Sequence, residues 1–474
     1  MRAGGRLNSS GSTRGHRLLL AVLTAAVFVS VLNSSMVNVV VPVIARDFRA
    51  SEAQIGWVIT GFLLSYAVAI PLYGRISDAF SLRKVFAVGL WVFAAGSFVC
   101  ALAPGLPVLV LGRILQAAGG AAVPALGTVA VTRVLPPGER GGALGLIISS
   151  VGVGAAVGPI LGGLVEELAG WHLLFYGSLL LALLLIPGAL RVLPDGEPKT
   201  ARNFDLPGGI LLGLSAGLFL FGITQGQTAS FTNPSSWGSF VSSALAATLF
   251  VRRINTASHP FVSPKLFANP PYVAAVAVGF FSMFANVSTL VTVPLLVTSV
   301  NGLSPGQAGL VLTPGAAALA ALSPLTGRLS DRIGVKLPIR AGLSLMLAST
   351  LFLSTLGAGG SPILVAAGML GVGTGFAFAN PPTNNAAANA LPREQVGAGL
   401  GIFNGAFFLG GGTGPAVIGA LIAARSNSPA LNPLYTLDAA PFSDAFLAIG
   451  AALLLALCAS LALRNEPHTS PRVE

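Results

Sequence analysis

The sequence predicts an all-α integral membrane protein made of two copies of a six-helix bundle. Hydrophobic residues make up 54% of the 474 positions and charged residues only 9%, whereas a soluble domain has about 25% charged residues. Fourteen mainly apolar stretches lie between residues 18 and 463, each close to the ~20 residues that cross a bilayer as a helix. The stretches are continuously apolar and do not alternate, which favours helices over barrel strands.

Two short patterns each occur twice, at nearly the same separation. Gly74-Arg75-Ile76-Ser77-Asp78 recurs 253 residues later at 327–331, and the glycine pattern that begins at Gly145 recurs 256 residues later from Gly401. Because two unrelated patterns share one offset, the chain contains two copies of one structural unit. In a membrane protein, such doubling is typical of a transporter whose halves rock around a central site.

The offset divides the chain into two bundles of six spans, with two further spans inserted between them. We expect seven segments: an N-tail (1–17), an N-terminal six-helix bundle (18–190), a linker (191–207), two inserted helices (208–251), a second linker (252–271), a C-terminal six-helix bundle (272–463) and a C-tail (464–474).

The basic residues predict the orientation in the membrane. If the N-terminus is cytoplasmic, 22 of the 26 Lys and Arg fall in cytoplasmic segments, three fall outside, and Arg113 lies within a span. This is the positive-inside bias, so both termini are predicted to lie in the cytoplasm and the protein in the cell membrane. The net charge of +11 follows from this bias and does not indicate a nucleic-acid partner.

No motif indicates an enzyme, a cofactor or a metal. There is no phosphate-binding Walker loop, no nucleophile elbow and no spacing of His and Cys that suits a metal ion. Cys100 and Cys458 both fall inside spans, where we expect free thiols that act as small apolar fillers.

The segment from Gly74 to Lys84 joins two spans at the predicted cytoplasmic face. Gly74 permits a tight turn, and Asp78 can cap a helix start or pair with Arg140 or with the other half. We hypothesise that Asp78, Arg83 and Arg140 form a cytoplasmic gate that holds the inside closed, with Asp331 at the duplicated position. The alternative is that these charges only anchor the topology.

The fifth span carries small residues that repeat on one helical face, a pattern that lets helices approach closely in lipid. A proline beside them removes one helix hydrogen bond and bends the span. The hypothesis is a pliable seam along which the bundles rock, and the alternative is plain helix packing. The residues of this seam are Gly154, Gly158, Pro159, Gly162 and Gly163, with Gly414 and Pro415 in the second copy.

Arg113 is the only formal charge deep in a span, and a charge at that depth is costly enough to suggest a function. Asn33, Asn38 and Gln116 reach a similar depth and are predicted to form a polar cluster with it, facing a substrate cavity. The alternative is that Arg113 snorkels to the outer surface. Asn380 and Asn404 are further cavity candidates. The alternative is that they cap helix ends or make interhelical hydrogen bonds.

Aromatic residues in two spans are candidates for a wall against flat ligands, although packing or lipid contact is the favoured explanation. They are Trp57, Phe62, Tyr66, Phe280, Phe281 and Phe284.

Five segments carry a resemblance to a known family. They are Gly74-x-Ile76-x-Asp78-x3-Leu82-Arg83, Arg113-x2-Gln116-x2-Gly119, Gly145 to Gly163, Val31-Leu32-Asn33 with Val37-Asn38-Val39, and Phe204-Asp205-x2-Gly208. With them the chain resembles the fourteen-helix drug:proton antiporters of the major facilitator superfamily, most closely the Gram-positive tetracycline-efflux (L/K) branch. The resemblance covers nearly the whole chain and implies two pseudo-symmetric bundles around a central cavity.

The acidic residues depart from that family. Many relatives have an acid in the first helix, where this chain has Asn33, and the L/K branch has one in helix 13, where this chain has three consecutive glycines from Gly410. We expect every acid to lie in a loop or at a span end. By elimination, Asp78, Glu166 and Glu167 are the candidates for a proton site.

The sequence therefore predicts a transporter that exports hydrophobic or amphipathic, drug-like small molecules by alternating access, with proton coupling left open. Membrane lipids and a small-molecule substrate are the expected partners, and a single chain is expected to function as a monomer. One alternative is an uncoupled or weakly coupled transporter of lipid-like anionic amphiphiles, because Arg113 without a partner suits a negatively charged ligand. A second is a non-transporting membrane sensor.

Overall fold

A computed structural model describes residues 9–50, 52–195, 205–228, 232–258, 260–426 and 428–464. Residues 1–8 of the predicted N-tail, residues 196–204 of the first linker, and the C-tail after residue 464 lie outside the described residues. Within the described residues the chain forms α-helices, short 3-10 and π turns, and no strand. The helices are α1 Ser9–Asp47, α2 Glu52–Ala79, α3 Leu82–Ala101, α4 Leu106–Gly120, α5 Ala122–Val134, α6 Pro137–Ala169, α7 His172–Val192, α8 Leu206–Thr228, α9 Pro234–Thr256, α10 Pro270–Ser299, α11 Pro305–Ile333, α12 Lys336–Phe352, α13 Pro362–Asn389, α14 Val396–Ala424 and α15 Ala440–Ser460.

The predicted all-α membrane fold is confirmed. Helices α4 and α5 form one span that is interrupted at Ala121, so the described helices correspond to the fourteen predicted spans. Thirteen of these are long and apolar enough to cross a membrane by length and composition. The remaining one, α9, is a 23-residue helix with a serine-rich first half.

Proline and short polar residues fix where many of the helices begin. A proline stands in the first turn of α6, α9, α10, α11 and α13, where no backbone N–H donor is needed. Asn233 and Asn269 accept a hydrogen bond from the first turns of α9 and α10. Ser304 and Gln307 form a reciprocal capping box at α11.

The two halves, α1–α7 and α10–α15, meet along two symmetry-related pairs of helices. Helix α6 packs against α11, and α14 packs against α2. Helices α2 and α11 occupy equivalent positions in the two halves, and so do α6 and α14, as the sequence duplication predicts. We call the face where α2 and α11 end, and where α6 and α14 begin, the inner face. The basic residues predict that this face lies in the cytoplasm.

Glycine permits backbone contact at both crossings. A Cβ added to Gly74 would lie 2.5 Å from the Gly397 carbonyl oxygen, and one added to Gly327 would lie 1.9 Å from the Gly141 carbonyl oxygen. Real Cβ atoms do not approach so closely. Larger residues would therefore force the halves apart at the inner face.

Helix α6 changes its partner along its length. Near the inner face, Gly141 and Gly145 lie against α11 of the other half. Nearer the outer face, Gly154, Gly158 and Gly162 lie against Val31, Ser35 and Met36 of α1, within its own half. The predicted seam on α6 therefore consists of two consecutive contacts, one with α11 of the other half and one with α1 of its own half.

Helix α14 repeats this arrangement in the other half. Gly401 lies against Gly74 and Pro71 of α2, whereas Gly410 and Gly414 lie against α10. Pro415 lies within α14 as Pro159 does within α6.

The inserted helices lie over the line where α2 meets α14. Helix α8 packs against both: Gly213 lies against Val68 of α2, and Leu220 lies against Gly412 of α14. Helix α9 covers α8 and is joined to it by the Ser243 hydroxyl, which donates to the Ser215 carbonyl at 2.7 Å. The pair therefore bridges the two halves along one side.

The start of α8 is held by a buried carboxylate. Asp205 pairs with Arg253 at the end of α9 at 3.0 Å. It also accepts hydrogen bonds from the backbone N–H groups of Gly208 and Phe261, at 3.2 and 3.1 Å. This one side chain fixes both linkers at the inner face.

Cys100 is buried and free, as predicted. Cys458 is also free but lies exposed on α15, so the prediction that it fills space inside the protein is wrong.

Two glycines on α6 provide a matched test of the packing against α1. A Cβ on Gly158 would lie 2.4 Å from the Ser35 Cβ, whereas one on Gly163 would have no atom within 4 Å. We expect Gly158→Leu to destabilise the protein by about 1–3 kcal/mol, the usual cost of overpacking, and Gly163→Leu to have little effect. The measurement is the fraction of detergent-purified protein that stays monodisperse after heating. Equal losses for the two variants would contradict this packing.

Candidate functional site

Arg113 on α4 is the centre of a buried polar cluster in the N-terminal half. The residue is 1% exposed. Its Nη1 donates to Gln116 Oε1 at 2.6 Å and to Asn33 Oδ1 at 3.0 Å. Its Nε donates to the Val58 carbonyl at 3.4 Å, and the guanidinium carbon lies 4.0 Å from the Phe62 ring centroid. The side chain thus ties α4 to α1 and α2.

Two serines complete the cluster. Gln116 donates to the Ser97 hydroxyl at 2.8 Å, and Asn33 donates to the Ser178 hydroxyl at 2.7 Å. Each hydroxyl donates in turn to a carbonyl four residues earlier in its own helix, at 2.8 Å. Helices α3 and α7 thereby join the network, and both amide side chains are held in one orientation.

The cluster contains a charge but no counter-charge. Among the described residues, no carboxylate lies within ion-pair distance of Arg113. Neutral oxygens and an aromatic face surround the guanidinium instead. Burying a charge is costly unless its donors are satisfied, so these contacts offset the cost of placing arginine here. An anionic ligand would have to displace Asn33 or Gln116 to reach it.

The other predicted cavity residues are dispersed. Asn38 is exposed because it lies five residues beyond Asn33, about 140° away around the helix axis. Asn380 accepts a hydrogen bond from Asn384 at 2.8 Å. Asn404 donates to Thr128 at 3.2 Å, from α14 to α5, and so joins the two halves.

A row of aromatic rings leads from Arg113 into the other half. Phe62 stacks on Tyr66 at 5.5 Å between centroids, and Tyr66 meets Phe408 of α14 edge-on at 5.3 Å. Phe408 then contacts Phe407 at 5.6 Å. We call these four rings the aromatic row.

The sequence prediction found only half of the aromatic row. It named Phe62 and Tyr66 but missed Phe407 and Phe408, although two adjacent phenylalanines in a seam helix were a usable signal. Of the other aromatic candidates, Trp57 contacts Phe221 of α8 at 5.7 Å. On α10, Phe280 contacts both Phe281 and Phe284.

Asp78 at the end of α2 binds the first turn of α14 in the other half. Its oxygens accept from the Gly397 N–H at 3.1 Å and the Ala398 N–H at 2.8 Å. Arg133 of α5 pairs with the same carboxylate at 2.6 Å. A carboxylate here satisfies unpaired donors of a helix start and is stabilised by the helix dipole.

Asp331 at the end of α11 makes the equivalent contact with α6. It accepts from the N–H groups of Gly141 and Gly142, both at 2.9 Å, and from Asn385 at 3.3 Å. Within the described residues it has no cation at ion-pair distance, unlike Asp78. We call these two contacts the inner latches.

Two arginines assigned to the gate have different neighbours. Arg140 donates to Asn389 of α13 at 3.3 Å and so reaches the other half. Arg83 pairs with Asp195 at 3.4 Å and donates to the Leu193 carbonyl at 2.7 Å, which joins α3 to the end of α7. The structure places Arg133, which the sequence prediction missed, beside Asp78 instead.

The described acidic residues lie in loops or near helix ends, as expected, but one of them is fully buried. Glu166 is half-buried and Glu167 exposed near the outer end of α6. Asp444, however, is 1% exposed inside α15, where Arg425 Nε donates to it at 2.5 Å and the Leu431 N–H donates to it at 2.7 Å. The sequence analysis did not name Asp444 among the proton-site candidates, because its burial comes from the loop after α14, which folds back over α15.

Comparison with known proteins supports one class. The chain is 31% identical to the multidrug resistance protein Stp of Mycobacterium tuberculosis over 412 residues, 87% of this chain and 76% of that protein. It is 30% identical to the tetracenomycin C resistance and export protein of Streptomyces glaucescens over 410 residues, 86% of this chain and 76% of that protein.

Solved structures of low sequence identity share the fold. The human organic anion transporter MFSD10 (TETRAN) aligns with a TM-score of 0.68 at 15% identity, covering 94% of this chain and 99% of that one. The proton:xylose symporter XylE aligns with a TM-score of 0.67 at 16% identity, covering 94% and 95%.

The fold and its two related halves define a membrane transporter. The sequence profile of the Major Facilitator Superfamily matches residues 23–415 and 275–474. The chain belongs to the major facilitator superfamily.

Replacing Arg113 tests the buried cluster. Arg113→Met would keep the apolar stem but leave the Asn33 and Gln116 oxygens without their donor, at about 1–3 kcal/mol for each unsatisfied group. Arg113→Lys would keep the charge but lose the flat contact with Phe62 and the donor to Val58. We expect both variants to lose thermal stability in detergent, Arg113→Met more. Unchanged stability in both would argue against a closed network.

Proposed function

We propose that this chain exports hydrophobic or amphipathic small molecules by alternating access, as a member of the fourteen-helix drug:proton antiporter branch. The observation that carries the proposal is the pair of inner latches, in which each half places a carboxylate on a helix start of the other. Both halves lie in one chain, so a monomer supplies both latches. Cell-membrane location, with both termini in the cytoplasm, is part of the proposal.

In the proposed cycle, the inner latches hold the inner side closed and their release opens it. Each latch consists of two charge-assisted hydrogen bonds to backbone N–H groups, which are stronger than neutral ones. Because the contacts are few and made at helix ends, they can break without unfolding either half. The two latches are related by the duplication, so their release allows the halves to rock as rigid bodies.

Helices α6 and α14 are the proposed pivots. Each packs on the opposite half near the inner face and on its own half near the outer face, with a proline between the middle and the outer end. Glycine contacts without interlocking side chains allow one helix to shift on another at low cost. This supports the seam residues from Gly154 to Gly162, with Gly414 and Pro415, as moving contacts, whereas Gly163 has no neighbour within 4 Å of an added Cβ.

The aromatic row is the proposed substrate-facing surface. Aromatic rings provide large apolar faces for flat, hydrophobic molecules, and this row spans the boundary between the halves. The multidrug and export names of the relatives support a drug-like substrate. In this proposal the Arg113 cluster does not contact the substrate and instead holds Phe62 in position. Asn380 and Asn404 lie near the boundary between the halves that moves.

Proton coupling would require an ionisable carboxylate whose proton is exchanged during the cycle. The N-terminal cluster holds no carboxylate, so the candidates are the latch acids Asp78 and Asp331, and Glu166 with Glu167 at the outer end of α6. Asp331 is the better latch candidate because no cation within the described residues pairs with it. Protonation there would weaken one latch only.

Charge reversal tests the inner latches. We expect Asp78→Lys and Asp331→Lys each to reduce dye export from proteoliposomes at least ~10-fold, because an ammonium group cannot accept the N–H hydrogen bonds that these carboxylates accept. Glu394→Lys is the matched control, since Glu394 is an exposed acid at the same face, three residues before Gly397. Normal export by both latch variants in folded protein would overturn the gate.

A gradient experiment tests proton coupling. Export of a fluorescent hydrophobic dye is measured in proteoliposomes with an imposed pH gradient and after an ionophore has collapsed it. An antiporter should slow markedly when the gradient is lost. Flux that does not change would favour the uncoupled transporter of anionic amphiphiles, and dye binding without any flux would favour the non-transporting sensor.

A further inference from the structure

A groove of about 780 Å³ lies between α2 and α3 in the N-terminal half, apart from the contacts between the halves. Its walls are apolar and come chiefly from Leu72 and Ile76 of α2 and from Val85 and Val88 of α3, with Ala118 of α4 behind them. A volume of this size falls in the range of small-molecule sites, roughly 300–1,000 Å³.

The groove opens sideways from the helix bundle. Phe80 and Val88 on its rim are 50% and 55% exposed. From Ala69 to the end of α2 the groove runs about 15 Å, at 1.5 Å per residue. This is about half of the ~30 Å hydrocarbon thickness of a bilayer, the depth of one leaflet.

The polar end of the groove lies at the inner face. Ser81, Lys84 and Asp195 line it there. Asp195 is already engaged, because the Ser81 hydroxyl donates to it at 2.7 Å and Arg83 pairs with it. These contacts, the Ser81 hydrogen bond first, lower the pKa of Asp195 and keep it ionised.

Lys84 is the second cation at this end, and its positive charge also contributes to the lowered pKa of Asp195. It is exposed, and within the described residues its ammonium group makes no hydrogen bond and no ion pair within 4.0 Å. With Arg83 and Asp195 paired, Lys84 leaves one positive charge at the mouth. The groove therefore favours a ligand that is negative at its inner end.

Tyr73 provides a second unused polar group, deeper in the groove. Its hydroxyl lies beside Gly89 of α3, where an added Cβ would be 3.7 Å away. Within the described part of the chain this hydroxyl has no hydrogen-bond partner, although Tyr73 lines the groove. Tyr73 is half-buried, and a ligand oxygen at this depth would give its hydroxyl a hydrogen-bond partner.

We propose that this groove binds one anionic phospholipid of the inner leaflet, with its headgroup at Lys84, an ester oxygen near Tyr73 and one acyl chain along α2. The match in charge, in length and in the order of polar and apolar surface supports a lipid over other occupants. The residues that follow Asp195 are a poor alternative, since Gly196 to Asn203 are mostly polar and would not suit the apolar walls.

Photo-crosslinking in lipid tests this proposal with the full-length protein. The protein is reconstituted into phosphatidylcholine vesicles that hold a small fraction of either phosphatidylglycerol or phosphatidylcholine with a diazirine in one acyl chain. After irradiation, mass spectrometry locates the labelled peptides. We expect labelling of the peptides of α2 and α3 that line the groove, stronger with phosphatidylglycerol.

Three variants separate the headgroup from the chain. Lys84→Gln should lower phosphatidylglycerol labelling about fivefold, the effect of one interfacial lysine on an anionic lipid. Lys265→Gln is the matched control, an exposed lysine at the inner face outside the groove, and should leave labelling unchanged. Ala118→Phe should fill the groove and remove labelling by both lipids.

Equal labelling by the two lipids, or labelling that Lys84→Gln leaves unchanged, would overturn the proposal that Lys84 binds an anionic headgroup. An absence of labelling in the groove with either lipid would overturn the lipid site, as expected if residues 196–204 of the chain itself filled it. Neither result bears on the proposed export, because the groove takes no part in the contacts between the halves.

Discussion

The close approach of backbones at the two crossings of the halves is the constraint on which the rest of the structure depends. Gly74 meets Gly397, and Gly327 meets Gly141, at distances that leave no room for a side chain. Only this approach brings the carboxylates of Asp78 and Asp331 within reach of backbone donors on the opposite helix. Glycine is thus required for two reasons, since it removes bulk and exposes the N–H groups that the latches use.

The interior of the N-terminal half solves a different problem, the burial of a charge without a counter-charge. Arg113 is surrounded by carbonyl oxygens of Asn33, Gln116 and Val58 and by the face of Phe62. In a low-dielectric interior such a network stabilises the charge only when every member has its partner. The cluster therefore fixes four helices around α4, and Phe62 connects it to the aromatic row.

Sequence patterns predicted what depends on local chemistry or on repetition. Apolar stretches indicated the spans, the repeated glycine patterns indicated two related halves, and the depth of Arg113 indicated a buried cluster with Asn33 and Gln116. The same patterns did not predict the partners of residues whose neighbours come from distant parts of the chain. Arg83 pairs with Asp195, Arg133 takes the place beside Asp78, and a loop fold buries Asp444.

The sequence by itself determined the membrane environment and the duplication, because hydrophobicity and repetition are properties of the chain read in order. Only the tertiary structure decided which oxygens surround Arg113, which helix start each latch carboxylate binds, and that α8 bridges the halves. Those outcomes depend on how helices far apart in sequence cross and rotate. Two positions on one helix differ in burial only because the neighbouring helices cover one side of it. Asn33 is buried and Asn38 is exposed for this reason.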